Sequence, residues 1–374
     1  MFSDVKNTRK ERITLKIIND DTVISDWPRL LGDALAESTS LTTLDLTVSN
    51  YTMNPGIWKY LGDSLLRSSS LTVLSLTISN YSNMAEGWEC TLVNSLAKMA
   101  SLTTLSLSID DRGGGVKFGE DLMVVKSLST LSVVINGSKL TDFWGKFLRK
   151  CLDECNSLTK LCLTSNDYTD SPYDATLLID SIEKRVSWQE GLAFGLAYTS
   201  SLKELVITIN HITRTYVDLE AIFIGPLSVN NSIASLTVIV SDYEFSSCEL
   251  WVASLKCCIA QNKSLTTLTL TLNDYSEDKR YGWLYPWRLG NDFPENSSLT
   301  ELNLTVNICK EVSEDWLPSF CDVLMMNCSS LRTVRLQVNN RCSTGKSLIY
   351  DLNKLRLKYR SLSTFELSVT FYGE

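Results

Sequence analysis

Apolar and polar residues alternate in short, evenly spaced runs along this chain, as in Leu44, Leu46 and Val48 set between Thr43, Asp45 and Thr47. A period of two, enriched in Val, Ile and Thr, predicts a strand with one buried face. The run belongs to SLTTLDLTVSN at 40–50, which returns as SLTVLSLTISN at 70–80 and SLTTLSLSIDD at 101–111. Later copies are SLKELVITINH from Ser201, SLTTLTLTLND from Ser264 and SLTELNLTVNI from Ser298. After each strand pattern and a short loop the spacing becomes helical. Trp27, Leu30, Leu31 and Leu35 form one such face; Trp58, Leu61 and Leu65, and Trp144, Leu148 and Leu152, form others.

The first Leu of each unit serves as an anchor: Leu41, Leu71, Leu102, Leu128, Leu158, Leu202, Ile233, Leu265, Leu299, Leu331 and Leu362. Successive anchors are 30, 31, 26, 30, 44, 31, 32, 34, 32 and 31 residues apart. A weaker copy, Ile13, Leu15 and Ile17, precedes them, so about twelve units fill the chain. One strand and one helix per unit, always in the same sense, require parallel strands joined by helical crossovers. The predicted fold is an α/β solenoid, a right-handed horseshoe with strands on the concave face and helices on the convex face. Six tryptophans (Trp27, Trp58, Trp88, Trp144, Trp188, Trp251) lie 13 or 14 residues before the next anchor, a phase that predicts core or helix-entry packing.

Leu128-x-x-Leu131-x-Val133-x-x-Asn136 resembles the leucine-rich repeat pattern, as do Leu158 to Asn166, Leu202 to Asn210, Leu265 to Asn273, Leu299 to Asn307 and Leu331 to Asn339. Unit length and the outer helix are similar to the ribonuclease-inhibitor subclass, which also forms the C-terminal repeats of NOD-like receptors. The resemblance implies a single repeat domain over 1–374, with a degenerate capping repeat at 1–40 and a terminal strand without a clear cap at 361–374. It also implies an inward-turned Asn at the ninth position of each unit. The eighth position, however, is apolar in nearly every unit (Val48, Ile78, Ile109, Ile209, Val306), which argues for alternation that runs on into a longer strand. The receptors' nucleotide-binding domain has no counterpart in the sequence.

Charge and composition narrow the function classes. The net charge is -8, from 35 basic and 43 acidic residues, and no basic stripe points to nucleic acid. No signal-like or membrane-spanning apolar run is present, so the expected setting is cytoplasmic, without membrane contact. Of eleven cysteines, Cys90, Cys162, Cys257 and Cys309 replace apolar residues in the repeat and read as reduced, core-filling thiols. Glycosylation sequons at Asn50, Asn80, Asn136, Asn230, Asn262, Asn296, Asn303 and Asn327 pull the other way, though a chain rich in Asn, Ser and Thr supplies many by chance.

Catalytic chemistry is hard to assemble from these residues. The single histidine, His211, follows a strand end and has no nucleophile motif beside it. Cys151/Cys155 and Cys257-Cys258 lack zinc spacing. Thr344-Gly-Lys-Ser347 lacks the leading Gly of a phosphate loop. The expectation is a non-enzyme with no cofactor and no metal. The rival class is an enzyme with an acid/base cluster near His211 on the strand-end rim.

Where the repeat departs from its period, contact with a partner is expected. The interval from Leu158 to Leu202 carries extra residues around Tyr168 to Asp174, and the loop after Asn273 interleaves Lys279 and Arg280 with Tyr281, Trp283 and Tyr285. The outward strand positions are small and hydroxylated early in the chain. Larger or charged groups gather later: Lys160, Glu204, Val206, Ile239, Glu301, Arg335 and Glu366. These residues point to a protein partner, and the resemblance implies innate-immune sensing, autoinhibition or inhibition of an enzyme. A chain ending on a strand predicts a monomer or weak end-to-end association.

Overall fold

The computed structural model describes residues 11–19, 27–50, 56–80, 88–111, 124–136, 142–166, 191–210, 223–242, 248–274, 293–308, 316–340 and 362–371. They fall into two compact units, Met1–Gly195 and Leu196–Glu374. The first holds strands β1 (Arg12–Asn19), β2 (Thr43–Asn50), β3 (Val73–Asn80), β4 (Thr104–Asp111), β5 (Thr130–Asn136) and β6 (Lys160–Asn166). Helices α1 (Trp27–Glu37), α2 (Gly56–Leu65), α3 (Trp88–Leu96) and α4 (Asp142–Glu154) lie between them in sequence. The second holds β7 (Glu204–Asn210), β8 (Ser235–Asp242), β9 (Thr267–Asp274), β10 (Glu301–Ile308), β11 (Thr333–Asn340) and β12 (Thr364–Phe371), with helices α5 (Cys248–Gln261) and α6 (Trp316–Asn327). A single π turn at Phe223–Leu227, containing Pro226, stands between β7 and β8.

Within each unit the strands pair in chain order, all parallel. The register follows the sequence repeat without a slip: Leu44 pairs with Leu74, Leu74 with Leu105, and Leu302 with both Leu268 and Val334. A slip of one residue would turn every buried side chain to the open face, so the hydrophobic alternation itself holds the register. Leu44, Leu46 and Val48 are fully buried, as are Leu302 and Val306. This is an α/β repeat solenoid in each unit.

The helices close the other side of each core. Trp58, Leu61 and Leu65 are fully buried, and Trp27 is 3% exposed, as the repeat phase predicts. Small residues let neighbouring helices approach. A Cβ on Gly32 would lie 2.7 Å from Ser64 Oγ, and one on Gly191 would lie 2.5 Å from the Gly145 carbonyl.

Two expectations change. Cys162 is half-buried on the open sheet face and Cys257 is exposed on α5, so neither fills the core. Cys162 sits at the fifth, outward position of its strand, and Cys257 turns away from the buried stripe that includes Leu255 and Cys258. Among the described residues the core thiols are Cys151, Cys155, Cys258, Cys321 and Cys328. The side chain of Cys90 and all of Cys309 lie outside the described residues. The second change concerns the ninth position. Alternation does run on: Val48, Ile78, Ile209 and Val306 are buried, and the ninth-position residues that follow them, Ser49, Ser79, Asn210 and Asn307, lie half-buried on the open side. There Asn166 donates to Asn136 at 2.5 Å, Asn307 donates to Asn273, and Asn339 donates to Asn307 at 2.5 Å. In-register strands stack like amides into a ladder of this kind.

Candidate interaction face

The open face of each sheet is the surface that the strand geometry leaves uncovered among the described residues. In the first unit it is mostly hydroxyl: Thr43, Thr47, Ser75, Thr77, Ser106 and Ser108 are all half-buried there. Its main charged contact is at one edge, where Arg12 Nε donates to Asp45 at 2.9 Å and Thr14 Oγ1 to the same oxygen at 3.2 Å. Lys160 opens β6 on this face.

The second unit is different. The in-register stacking of β10, β11 and β12 sets Asn303, Arg335 and Glu366 side by side, with Glu301 two residues before Asn303. Arg335 Nη1 donates to Glu301 Oε1 and, at 3.2 Å, to Asn303 Oδ1; its Nε donates to Glu366 at 3.0 Å. Asn303 Nδ2 continues the network to Glu301 and to Thr269, each at 3.2 Å. Two carboxylates around one guanidinium leave the cluster one negative charge in excess. Three of the sequence-predicted contact residues are thus brought together, and they hold one another. Glu366 keeps 62% of its side chain exposed and Arg335 44%, so the group remains open to a partner.

Val206 and Ile239 fall on the same face, half-buried; their register places them diagonally across the β7–β8 pair. Glu204 begins β7, next to Ser235. Lys279, Arg280, Tyr281, Trp283 and Tyr285 lie outside the described residues, as do His211, the insertion after Asn166 and Thr344-Gly-Lys-Ser347.

Nucleophile and metal chemistry find little here. Burial pushes the Cys258 thiol up to about 12 and the Cys328 thiol up to about 11, and burial followed by the neighbouring Cys155 raises Cys151. Thiols so placed stay protonated near neutral pH and are poor nucleophiles. Among the described residues, no group of three His, Cys, Asp or Glu side chains could hold a metal ion, and no helix is long and apolar enough to cross a membrane.

A second ladder, at the turn that enters each strand, was hidden in the Ser-Leu-Thr signature. The Ser hydroxyl bonds the anchor carbonyl of the preceding repeat: Ser70 to Leu41 at 2.7 Å, Ser101 to Leu71 at 2.8 Å, Ser264 to Ile233 at 2.8 Å. The Thr hydroxyl bonds the preceding repeat's carbonyl at the same position: Thr72 to Thr42 at 3.2 Å, Thr300 to Thr266 at 3.1 Å. Three residues before the anchor, the second unit adds Asn. Asn262 Nδ2 donates to Leu227 O at 2.6 Å and Asn230 O at 2.9 Å, while its Oδ1 accepts from Ser264 N and Leu265 N. Asn230 and Asn296 repeat the arrangement.

Neither a family model nor a curated protein matches this chain.

Proposed function

We propose that this chain is a non-enzymatic binding scaffold of the leucine-rich repeat type, related in plan to the ribonuclease-inhibitor subclass. It takes a protein ligand on the open strand face of its second unit. The observation that carries the reading is the contrast along the strands: mostly hydroxyls in β2 to β4, where the charged Asp45 is paired with Arg12, against the Glu301–Asn303–Arg335–Glu366 network on β10 to β12, with Val206 and Ile239 on the same face of β7 and β8. Interfaces draw orientation from fixed charges and affinity from apolar anchors, and this face offers both. Excess negative charge favours a partner segment carrying Lys or Arg. A cytoplasmic role in sensing or regulation fits this reading.

The test is capture by the whole chain, followed by titration of the purified partner. Replacing Glu301, Arg335 and Glu366 together with Ala should weaken binding at least about tenfold, a loss of about 1.4 kcal/mol. Replacing Thr47 and Thr77 with Ala should leave it unchanged. Equal affinity of the triple variant and the parent chain refutes the proposed face.

A further inference from the structure

Three of the glycosylation sequons coincide with the buried turn ladder. Asn230, Asn262 and Asn296, each followed two residues later by Ser232, Ser264 and Ser298, are 1%, 2% and 4% exposed. The nitrogen that would carry the sugar already uses both of its hydrogens. Asn230 Nδ2 donates to Leu196 O at 2.7 Å and Thr199 O at 3.0 Å; Asn296 Nδ2 donates to Ile259 O at 2.5 Å and Asn262 O at 3.2 Å. The same amides organise the turn through Oδ1, which receives Ser232 N at 2.8 Å and Ile233 N at 2.9 Å in the first case.

N-glycosylation makes a bond from sugar C1 to Nδ2, displaces the donor's pyrophosphate leaving group and removes one amide hydrogen as a proton. On Asn262 that would delete the bond to Leu227 O or to Asn230 O. It would also drive a hexose into a turn packed against the preceding repeat. No rotation of the side chain relieves this, because both ends of the amide are engaged. A buried carbonyl left without its donor destabilises the folded turn, and the steric conflict adds to that. We propose that folding of the second unit and N-glycosylation at Asn230, Asn262 and Asn296 exclude one another. The three sequons are readable only in the unfolded chain, and a sugar on any of them keeps the turn from closing. The fold is therefore suited to compartments where no glycosyltransferase meets the nascent chain.

Co-expression of the full chain in bacteria with a soluble N-glycosyltransferase, which adds one hexose from a nucleoside-diphosphate sugar, tests this directly. Site occupancy is read by mass spectrometry in the protease-resistant soluble fraction and in the protease-sensitive fraction. Hexose on the three asparagines should be at least about tenfold depleted in the resistant fraction. The purified folded chain, given the same enzyme and donor, should gain none at these sites, whereas chain held unfolded by cysteine alkylation should gain it at all three. Equal occupancy in the two fractions, or modification of the folded chain at the unfolded chain's rate, overturns the proposal.

Discussion

At Asn262 one side chain closes four backbone hydrogen bonds across two repeats. Its counterparts in the first unit are shorter. Ser38 and Ser68 occupy the same phase, and their buried hydroxyls find no partner among the described residues. Two opposite substitutions follow. Asn262→Ser should lower stability by about 1–3 kcal/mol, because carbonyls once bonded are left dry. Ser68→Asn should raise it by about 1 kcal/mol if the new amide reaches Leu35 and Ser38 as Asn262 reaches Leu227 and Asn230. Urea melts of the two variants measure both. The adjacent thiols provide a second comparison at this scale. Cys257 is exposed, while Cys258 is buried with its thiol pushed up to about 12. Maleimide at neutral pH should label Cys257 within the folded chain and leave Cys258 untouched. The linkage sign is also fixed. A thiol whose folded value lies above its unfolded value of 9.0 contributes nothing to pH dependence below that value. Its stabilisation is lost as pH rises from about 9 towards 12, since only the unfolded chain can ionise there. Chemical denaturation from pH 8 to pH 11 should therefore show falling stability, less so in Cys258→Ala.

Elements owe their spacing to residues that are conspicuously small. At Gly191 an added Cβ would meet the Gly145 carbonyl at 2.5 Å, and backbone cannot step aside as a flexible side chain can. Gly191→Ala should cost about 1–3 kcal/mol by overpacking, measurable as a lower urea midpoint with an unchanged slope. How far the elements were legible depends on what each one's pattern encodes. The strands were plain, because Leu44, Leu46 and Val48 declare their face through alternation alone. Helix faces such as Trp58, Leu61 and Leu65 were plain for the same reason at a different period. The Asn230–Asn262–Asn296 ladder was not, because its meaning lies in carbonyls of the preceding repeat, some thirty residues away. The sequence shows these asparagines only as sequons. The side of the sheet taken by Asn307 and Asn339 was decided by the apolar residue before each, Val306 and Val338, which continues the strand for one more step.

Over the whole molecule, stability and recognition are separable. Fully burying a Leu side chain contributes about 1.5–3 kcal/mol, and the repeat buries one at nearly every anchor. Exposed ion pairs contribute about 0–1 kcal/mol each. Arg335→Ala should therefore shift the unfolding midpoint little, and a loss of binding in that variant would report on the interface and not on the fold. Of the candidate site, the sequence located Glu301, Arg335 and Glu366 through their departure from the hydroxylated pattern. It could not foresee that they bond one another into a single cluster, since that depends on which strands become neighbours and on Asn303 between them. The Ser-Leu-Thr bonds have one more consequence. Each repeat satisfies its polar groups on the repeat before it and offers the same carbonyls to the repeat after it. Thr300 stands on Thr266, 34 residues earlier, as Thr266 stands on Ala234. The polar ladder is thus written in cassettes: excising residues 264–297 would join Lys263 to Ser298 and hand the strand of Thr300 to the carbonyl of Ala234, and the seam to be refilled would be the apolar one, where Phe320 loses Phe293.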